Sequence, residues 1–458
     1  FLLMITAISY AHDGENFRAA DMLKSMQAGD KAAIVMVYFG STHDDTRALT
    51  IDALTREVRA AYPTLEVREA YTSRIVRRRL RDRGVETSAP LEVLKQLKAD
   101  GFTHLVIQSA NIIEGVEMEA LRREVDAMRT LFLTDTAEAF MRRRCYYFDN
   151  VFFDLLKGFR FNPAEVTVVQ EGGRLEVEVR GLWYRTVLWE VPLMAMISEL
   201  YYRMTGATPA ADADDRARAK ARRFEELGAE LSEFGTRRRF SFEVQDRVIG
   251  ILKECMPRVL NGTSNVYLAM LHDLIPMGTH PHEWFMYHGA HYGYRVANEM
   301  AMENWVDVYD GYLGIALPDT FTSTDFFKSF STKYAKLFDG LRCDSGDPFE
   351  FTERALSYYE RHRIDPKKKT VVYSDSLDLE AIARIKRHVA GRLHDVYGVG
   401  TFLTNDVGVQ PLNIVIKLFE VKPKGETNFL PVVKLSDSPG KHTGDPDEID
   451  LCKRMLKL

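Results

Sequence analysis

The sequence predicts an α/β protein with a doubly wound parallel-sheet segment, then an α+β stretch, then a (β/α) barrel-type region. Three observations carry this. Residues 31–130 alternate strand-like apolar runs with helical patterns, and residues 164–190 alternate polar and apolar positions. The last third repeats a strand followed by a helix, with strand-end residues 25, 31 and 23 positions apart starting from Asp319. Alternating strands and helices build a parallel sheet. A sustained strand–helix repeat builds a barrel, whose functional groups sit at the carboxyl ends of its strands.

Taken in order, Ala32–Phe39 is an apolar run closed by Gly40-Ser41-Thr42, and a helical pattern follows to about Ala61. Leu65–Ala70 reads as a second strand, Arg74–Arg83 and Leu91–Asp100 as helices, and Thr103–Gln108 as a third strand. The character changes near Leu131. Residues 133–160 are aromatic and helical, 164–190 alternate as antiparallel strands do, and a helix runs from about Pro192 to Thr205. The small, charged, alanine-rich Ala207–Arg223 reads as a turn entering a solvated helix. Further on, Leu313–Leu317 ends in Pro318-Asp319-Thr320, and Gly340–Cys343 ends in Asp344-Ser345-Gly346-Asp347. Val371–Tyr373 ends in Ser374-Asp375, and Asp395–Tyr397 ends in Gly398-Val399-Gly400-Thr401. Packing wants apolar residues at such ends, so these polar ones mark an active face.

At 458 residues the chain is long enough for two to three domains. Its 46% hydrophobic and 28% charged residues are those of an ordinary globular protein, and a net charge of −5 offers nucleic acid no general attraction. The basic run Arg74–Arg81 carries apolar residues at helical spacing, which points to a solvated helix face and not to an anion patch. Cysteines 145, 255, 343 and 452 form no CxxC pair, which suits a reducing, cytoplasmic setting. No stretch reaches the roughly 20 apolar residues of a membrane span. Phe1–Ala11 reads either as the tail of a signal-peptide core or as the buried first strand of a fragment.

Five of the twelve histidines fall between positions 272 and 291, and Pro276–Phe285 sets His280 and His282 beside a glycine turn and the carboxylate of Glu283. A metal site, a phosphate-accepting imidazole and plain packing all account for such a cluster. Asp344-Ser345-Gly346-Asp347 offers carboxylates able to hold ribose hydroxyls or Mg²⁺, though the tetrapeptide also makes ordinary turns. Gly398, Gly400 and Thr401 offer backbone N–H groups and a hydroxyl to a phosphate monoester. Arg237, Arg238 and Arg239 bring guanidinium forks to one short turn, where three adjacent side chains cannot all face one ligand. Thr263, Ser264, Ser374 and Asp375 add polar groups, as does the turn Ser436–Lys441. Together they describe a site for a ligand with several phosphates. No cysteine lies close and no HExxH spacing occurs, so among these groups an imidazole is better placed as phosphate acceptor or acid–base group than as zinc ligand.

From about Leu131 onward the chain resembles the nicotinate phosphoribosyltransferase family. The blocks that carry the resemblance include Phe159–Pro163, Leu188–Leu193, Phe234–Ser241, Gly262–Asn265, Pro276–Phe285, Leu341–Pro348, Tyr373–Asp378, Gly398–Thr404, Pro411–Lys417 and Lys434–Lys441. The resemblance implies an incomplete α/β barrel with an α+β front domain, a homodimer, and ATP-coupled joining of nicotinate to phosphoribosyl pyrophosphate with Mg²⁺. It implies that ATP phosphorylates His282, beside Glu283, and gives His280 no role. It makes Asp344 and Asp347 candidates for ribose or Mg²⁺, Gly398, Gly400 and Thr401 for the 5′-phosphate, and the three arginines for nicotinate or phosphate. The family's opening Thr-Asp-x-Tyr segment has no counterpart in this sequence.

Residues 31–132 resemble instead the first half of the anaerobic cobalt chelatase family, through Val37–Thr42, Asp45–Arg47, Tyr71–Ser73, Gly101–His104 and Gln108–Glu117. That family's metal-handling histidine corresponds to Asn111, a poor ligand and no base, so chelatase activity is not expected. The expected organisation is a leader or fragment start at 1–30, a truncated half-domain at 31–130, a front domain at 131–233 and a barrel at 234–458. The alternative is a catalytically impaired chimera that still binds phosphates or a tetrapyrrole.

Overall fold

The computed structural model describes residues 26–458 except Phe39, His43, 110–115, 172–173 and Pro439. The two readings of Phe1–Ala11 and the Asn111 position lie outside the described residues. The chain divides into two compact units, residues 1–119 with Val168–Val177, and Ala120–Thr167 with Glu178–Leu458.

In the first unit, β1 (Ala32–Tyr38), β2 (Glu66–Tyr71) and β3 (His104–Ser109) form a parallel sheet in the order β2-β1-β3. The central strand is apolar on both faces because both are covered. Ile34, Met36 and Tyr38 pack with Ile51, Val76 and Leu80, while Ala33 and Val35 pack with Val93 and Leu97. The basic helix Arg74–Asp82 is capped by Ser73, which accepts from the Val76 N–H at 3.2 Å. It buries Val76 and Leu80 and leaves Arg78, Arg79 and Arg81 exposed, the solvated face its spacing predicts.

The alternation over 164–190 is realised only in part. β4 (Val166–Glu171) and β5 (Arg174–Val179) form a two-stranded sheet, after which Trp183–Thr186 and Val187–Trp189 are helical. Trp189 is fully buried and its indole N–H donates to Glu165 at 3.1 Å, an anchor that overrides the local pattern.

The second unit is built on seven parallel strands: β6 (Leu231–Glu233), β7 (Leu260–Thr263), β8 (Ile275–Pro276), β9 (Ile315–Ala316), β10 (Gly340–Cys343), β11 (Thr370–Tyr373) and β12 (His394–Val399). Their order is β8-β7-β6-β12-β11-β10-β9. The sheet curls into an open half-barrel with β8 and β9 at its edges. Helices including Phe242–Cys255, Pro348–Arg361 and Leu379–Val389 connect its strands, and a core with Phe285, Phe321, Phe326, Tyr373 and Tyr397 fills it. β9 to β12 are the four strands predicted from the repeat. β6, β7 and β8 were not legible, because two to four residues as polar as Leu231-Ser232-Glu233 carry no apolar run. No helix among the described residues is long and apolar enough to cross a membrane.

Candidate active site

All seven strands run the same way, so their carboxyl ends share one rim, and the predicted polar residues fall along it. Pro281 ends the segment after β8, and His282 opens helix His282–Tyr292. The ring of His282 is nearly buried and held on both sides. Its Nδ1 lies 2.9 Å from Thr320 Oγ1, just beyond β9. Its Nε2 lies 2.9 Å from Asp344 Oδ2 at the end of β10, and Lys434 Nζ donates to the same nitrogen at 2.9 Å. Asp319 Oδ1, buried and without a hydrogen-bond partner among the described residues, stands 3.8 Å from Nε2.

A carboxylate and an ammonium on one ring nitrogen make opposite demands. If Nε2 carries the proton it donates to Asp344, and Thr320 donates to Nδ1. If Nε2 presents its lone pair, Lys434 donates to it and Nδ1–H donates to Thr320. The Thr320 hydroxyl serves both states because it rotates. Burial pushes the imidazole below the ordinary histidine range, against the pull of Asp319 and Asp344.

Asp344 is fixed from the side away from His282. Arg342 donates through NH2 to Asp344 Oδ1 at 2.6 Å, through Nε to Ser374 at 2.8 Å and through NH1 to Thr279 at 2.9 Å. Ser374 donates to the same Oδ1 at 2.6 Å. Burial opposes ionisation of Asp344, but Arg342, His282 and Ser374 outweigh it and hold its carboxyl well below the usual range.

His282, Asp319 and Asp344 offer three ligand atoms within 4.8 Å of one another, the geometry of a cation site. The Lys434 ammonium, 2.9 Å from His282 and 4.0 Å from Asp319, already supplies a positive charge there. The metal reading of the histidine cluster is therefore the weaker one. The other four histidines are accounted for by packing. His272 binds Asp246, His288 bonds the Trp284 carbonyl and Asn304, and His291 packs on Tyr287 and Tyr292. His280 is enclosed by Phe285, Trp305 and Phe338 with neither nitrogen bonded among the described residues, and burial drives its pKa down to about 3.

The arginine turn sorts itself. Arg237 pairs with Glu190 at 2.9 Å, and Arg239 with Glu199 at 3.5 Å and Gln245 at 3.3 Å. Arg238 has no side-chain partner among the described residues. Glu283 accepts from the Trp183 indole at 3.2 Å, and burial raises its carboxyl.

Other predicted residues have structural partners. Ser345 donates to Asp319 at 2.6 Å, and Gly346, at φ +77° in the left-handed region, gives its N–H to Ser438 at 3.1 Å. Asp347 is exposed and caps helix Pro348–Arg361, accepting from Phe349 N–H at 2.7 Å. Asp375 pairs with Lys441 at 3.3 Å. Gly398 lies against the Phe234 ring, Gly400 precedes the short helix Thr401–Thr404, and Ser264 is exposed. Thr263 is fully buried and donates to Glu233, so its hydroxyl faces the interior. Sequence reasoning set Asp319 and Thr320 on the active face without giving either a role, and gave none to Arg342 or Lys434. Arg342 left a trace as a charge inside an otherwise buried parallel strand.

A family model for nicotinate phosphoribosyltransferase (NAPRTase) matches residues 229–458, and one for the N-terminal domain of that family matches 111–198. The nicotinate phosphoribosyltransferase of Chromohalobacter salexigens is 53% identical over 342 residues, which is 74% of this chain and 87% of that one. The chain belongs to the nicotinate phosphoribosyltransferase family. The Yersinia enterocolitica relative is 40% identical over 391 residues, covering 82% of this chain and 95% of its own. Among solved structures, the Porphyromonas gingivalis nicotinate phosphoribosyltransferase superposes with a TM-score of 0.73 at 48% identity, covering 75% of this chain and 89% of that one. The Vibrio cholerae family member gives 0.69 at 34% identity, covering 75% and 84%. A cobalt chelatase (CbiK) family model matches residues 32–136, overlapping the N-terminal-domain match.

Proposed function

We propose that this enzyme joins nicotinate to phosphoribosyl pyrophosphate, and that ATP drives the reaction by phosphorylating His282. The observation that carries the second part is the position of His282 Nε2 between Lys434 and Asp344. In the tautomer with Nδ1–H on Thr320, the Nε2 lone pair attacks the γ-phosphorus of ATP. A nitrogen–phosphorus bond forms, the bond to the bridging oxygen breaks, and ADP leaves with the electron pair. Lys434 stands where it neutralises the new phosphoryl oxygens, and Asp344, anchored by Arg342, is pushed from the ring by like charge. Phosphorylation thus moves a carboxylate at the end of β10, and so couples ATP to the sugar-phosphate side of the rim. Water later attacks phosphorus, releasing phosphate and restoring the imidazole.

In the transfer itself the pyridine nitrogen attacks C1′ as the C1′–O bond to pyrophosphate breaks, through an oxocarbenium-like state. Arg238 is assigned to the nicotinate carboxylate, with Gly400 and Thr401 cradling the 5′-phosphate. The Asp344 oxygens are occupied by Arg342, Ser374 and His282, so the donor set fits Mg²⁺ arriving on substrate phosphates with Asp347, whose second oxygen has no hydrogen-bond partner among the described residues. When bound, Mg²⁺ neutralises charge on the leaving pyrophosphate. The test is acid-labile labelling from γ-labelled ATP. Wild type is expected to label and His282→Ala is not, and equal labelling of both removes His282 from the mechanism.

A further inference from the structure

Glu233, the last residue of β6, is 1% exposed in the interior of the half-barrel. A carboxylate buried that deeply costs several kcal/mol unless hydrogen bonds compensate it, so packing alone does not explain it. Three donors converge on it from three elements. They are the Gly235 N–H of the arginine turn, Thr263 Oγ1 at the end of β7 at 2.5 Å, and Gln245 Nε2 of helix Phe242–Cys255 at 3.2 Å. The same Gln245 amide donates to Thr236 Oγ1 at 2.7 Å, which Asn265 also contacts at 3.3 Å.

The turn is clamped from its other side as well. Asn405 donates to the Arg238 carbonyl at 2.8 Å, and Ser198 to the Arg239 carbonyl at 2.8 Å. At Gly235 a Cβ would overlap Thr404 Oγ1, so only glycine lets the turn seat against the helix that follows β12. Gly235, Thr236, Arg238 and Arg239 are therefore all tied by polar contacts. What this rigid turn displays is the half-buried guanidinium of Arg238, without a partner among the described residues, while Arg237 and Arg239 are paired.

We infer that Glu233 is a positioning residue for the reaction: it locks the arginine turn so that Arg238 meets the carboxylate of the pyridine substrate without reorganising. The inference rests on the assignment of Arg238 to that carboxylate. An acid is needed because all three contacts are donors, and a glutamine would turn an N–H toward one of them. The loss then falls on recognition of the carboxylate and spares the rest of the ring.

The experiment is calorimetric titration of the full chain with pyridine-3-carboxylate and, separately, with the uncharged pyridine-3-carboxamide. Wild type is expected to prefer the carboxylate. Glu233→Gln is expected to lose about tenfold or more in carboxylate affinity with carboxamide affinity unchanged, and Thr263→Val, which removes one donor and keeps the acid, to lose less. Should Glu233→Gln not fold, Thr263→Val carries the test, with a selective loss for carboxylate as the supporting result. Equal loss for both ligands, or none, in a folded variant overturns the role of Glu233 and leaves that of Arg238 standing. A wild type that does not distinguish the ligands removes the Arg238 assignment and the inference with it.

Discussion

Lys434 donates to Nε2 of His282 across 2.9 Å, from a position 152 residues further along the chain. The contact sets the ring's lone pair in competition with a proton shared with Asp344, and it places a cation where a phosphoryl group would form. Replacing Lys434 by methionine, similar in length but uncharged, is expected to slow ATP-dependent labelling of His282 by about tenfold or more, the loss of one charge-assisted contact. A labelling rate equal to wild type would mean that the ammonium does not serve the phosphoryl group.

The acid limb of labelling follows from the depressed imidazole. Burial lowers the pKa of His282 below 6.5, so the neutral ring persists as pH falls through 6.5 and is lost only further down. Labelling rate against pH is expected to fall to half its maximum only below pH 6.5. Half-maximal labelling at or above 6.5 would contradict the environment described.

Arg342 forks to Asp344, Ser374 and Thr279 at once, which a lysine cannot reproduce. Arg342→Lys is expected to leave the fold intact and to lower kcat/KM by at least about tenfold, or about 1.4 kcal/mol. An unchanged kcat/KM would show that Asp344 needs no such anchor.

His280 separates stability from catalysis. Its folded pKa of about 3 lies below the unfolded value near 6.5, so the unfolded chain takes the proton first. The contribution is complete above pH 6.5 and is lost as pH falls below it. His280→Leu is expected to match or exceed wild-type stability at pH 7.5, because neither ring nitrogen is bonded among the described residues. At pH 5 the wild type is expected to have lost about 2 kcal/mol relative to the variant. Parallel pH dependence in denaturant titrations would show that His280 is reached by protons in the native state.

Asp347, a candidate for ribose or Mg²⁺ by resemblance, caps helix Pro348–Arg361. Asp347→Asn keeps the cap and Asp347→Ala removes it, at about 1 kcal/mol. If Mg²⁺ on substrate pyrophosphate touches Asp347, both variants raise the Mg²⁺ concentration needed for activity, and only the alanine variant melts earlier. A Mg²⁺ requirement unchanged in both would confine Asp347 to its capping role.

The sequence announced the strands that lie in apolar runs closed by polar residues. Apolar runs such as Val371-Val372-Tyr373, closed by Ser374-Asp375, located four barrel strands and the rim on which Asp344, Ser374 and Gly398 stand. β6 to β8 escaped because their pairing comes from neighbours and not from their own few residues. The imidazole was legible as a residue, but its surroundings were not. Lys434, Asp319 and Arg342 converge on it only through the curl of the sheet, and no local spacing encodes that. Two of three adjacent arginines turned out to be paired, as the crowding of the turn requires, and which one stays free depends on Glu190 and Glu199 from another helix.

The most direct test of the account is formation of nicotinate mononucleotide from nicotinate and phosphoribosyl pyrophosphate by the purified full chain, with and without ATP. The account predicts product in both cases, with a marked rise on adding ATP that His282→Ala abolishes. A folded protein that makes no product, or makes it at the same rate whether or not ATP is present, would contradict it.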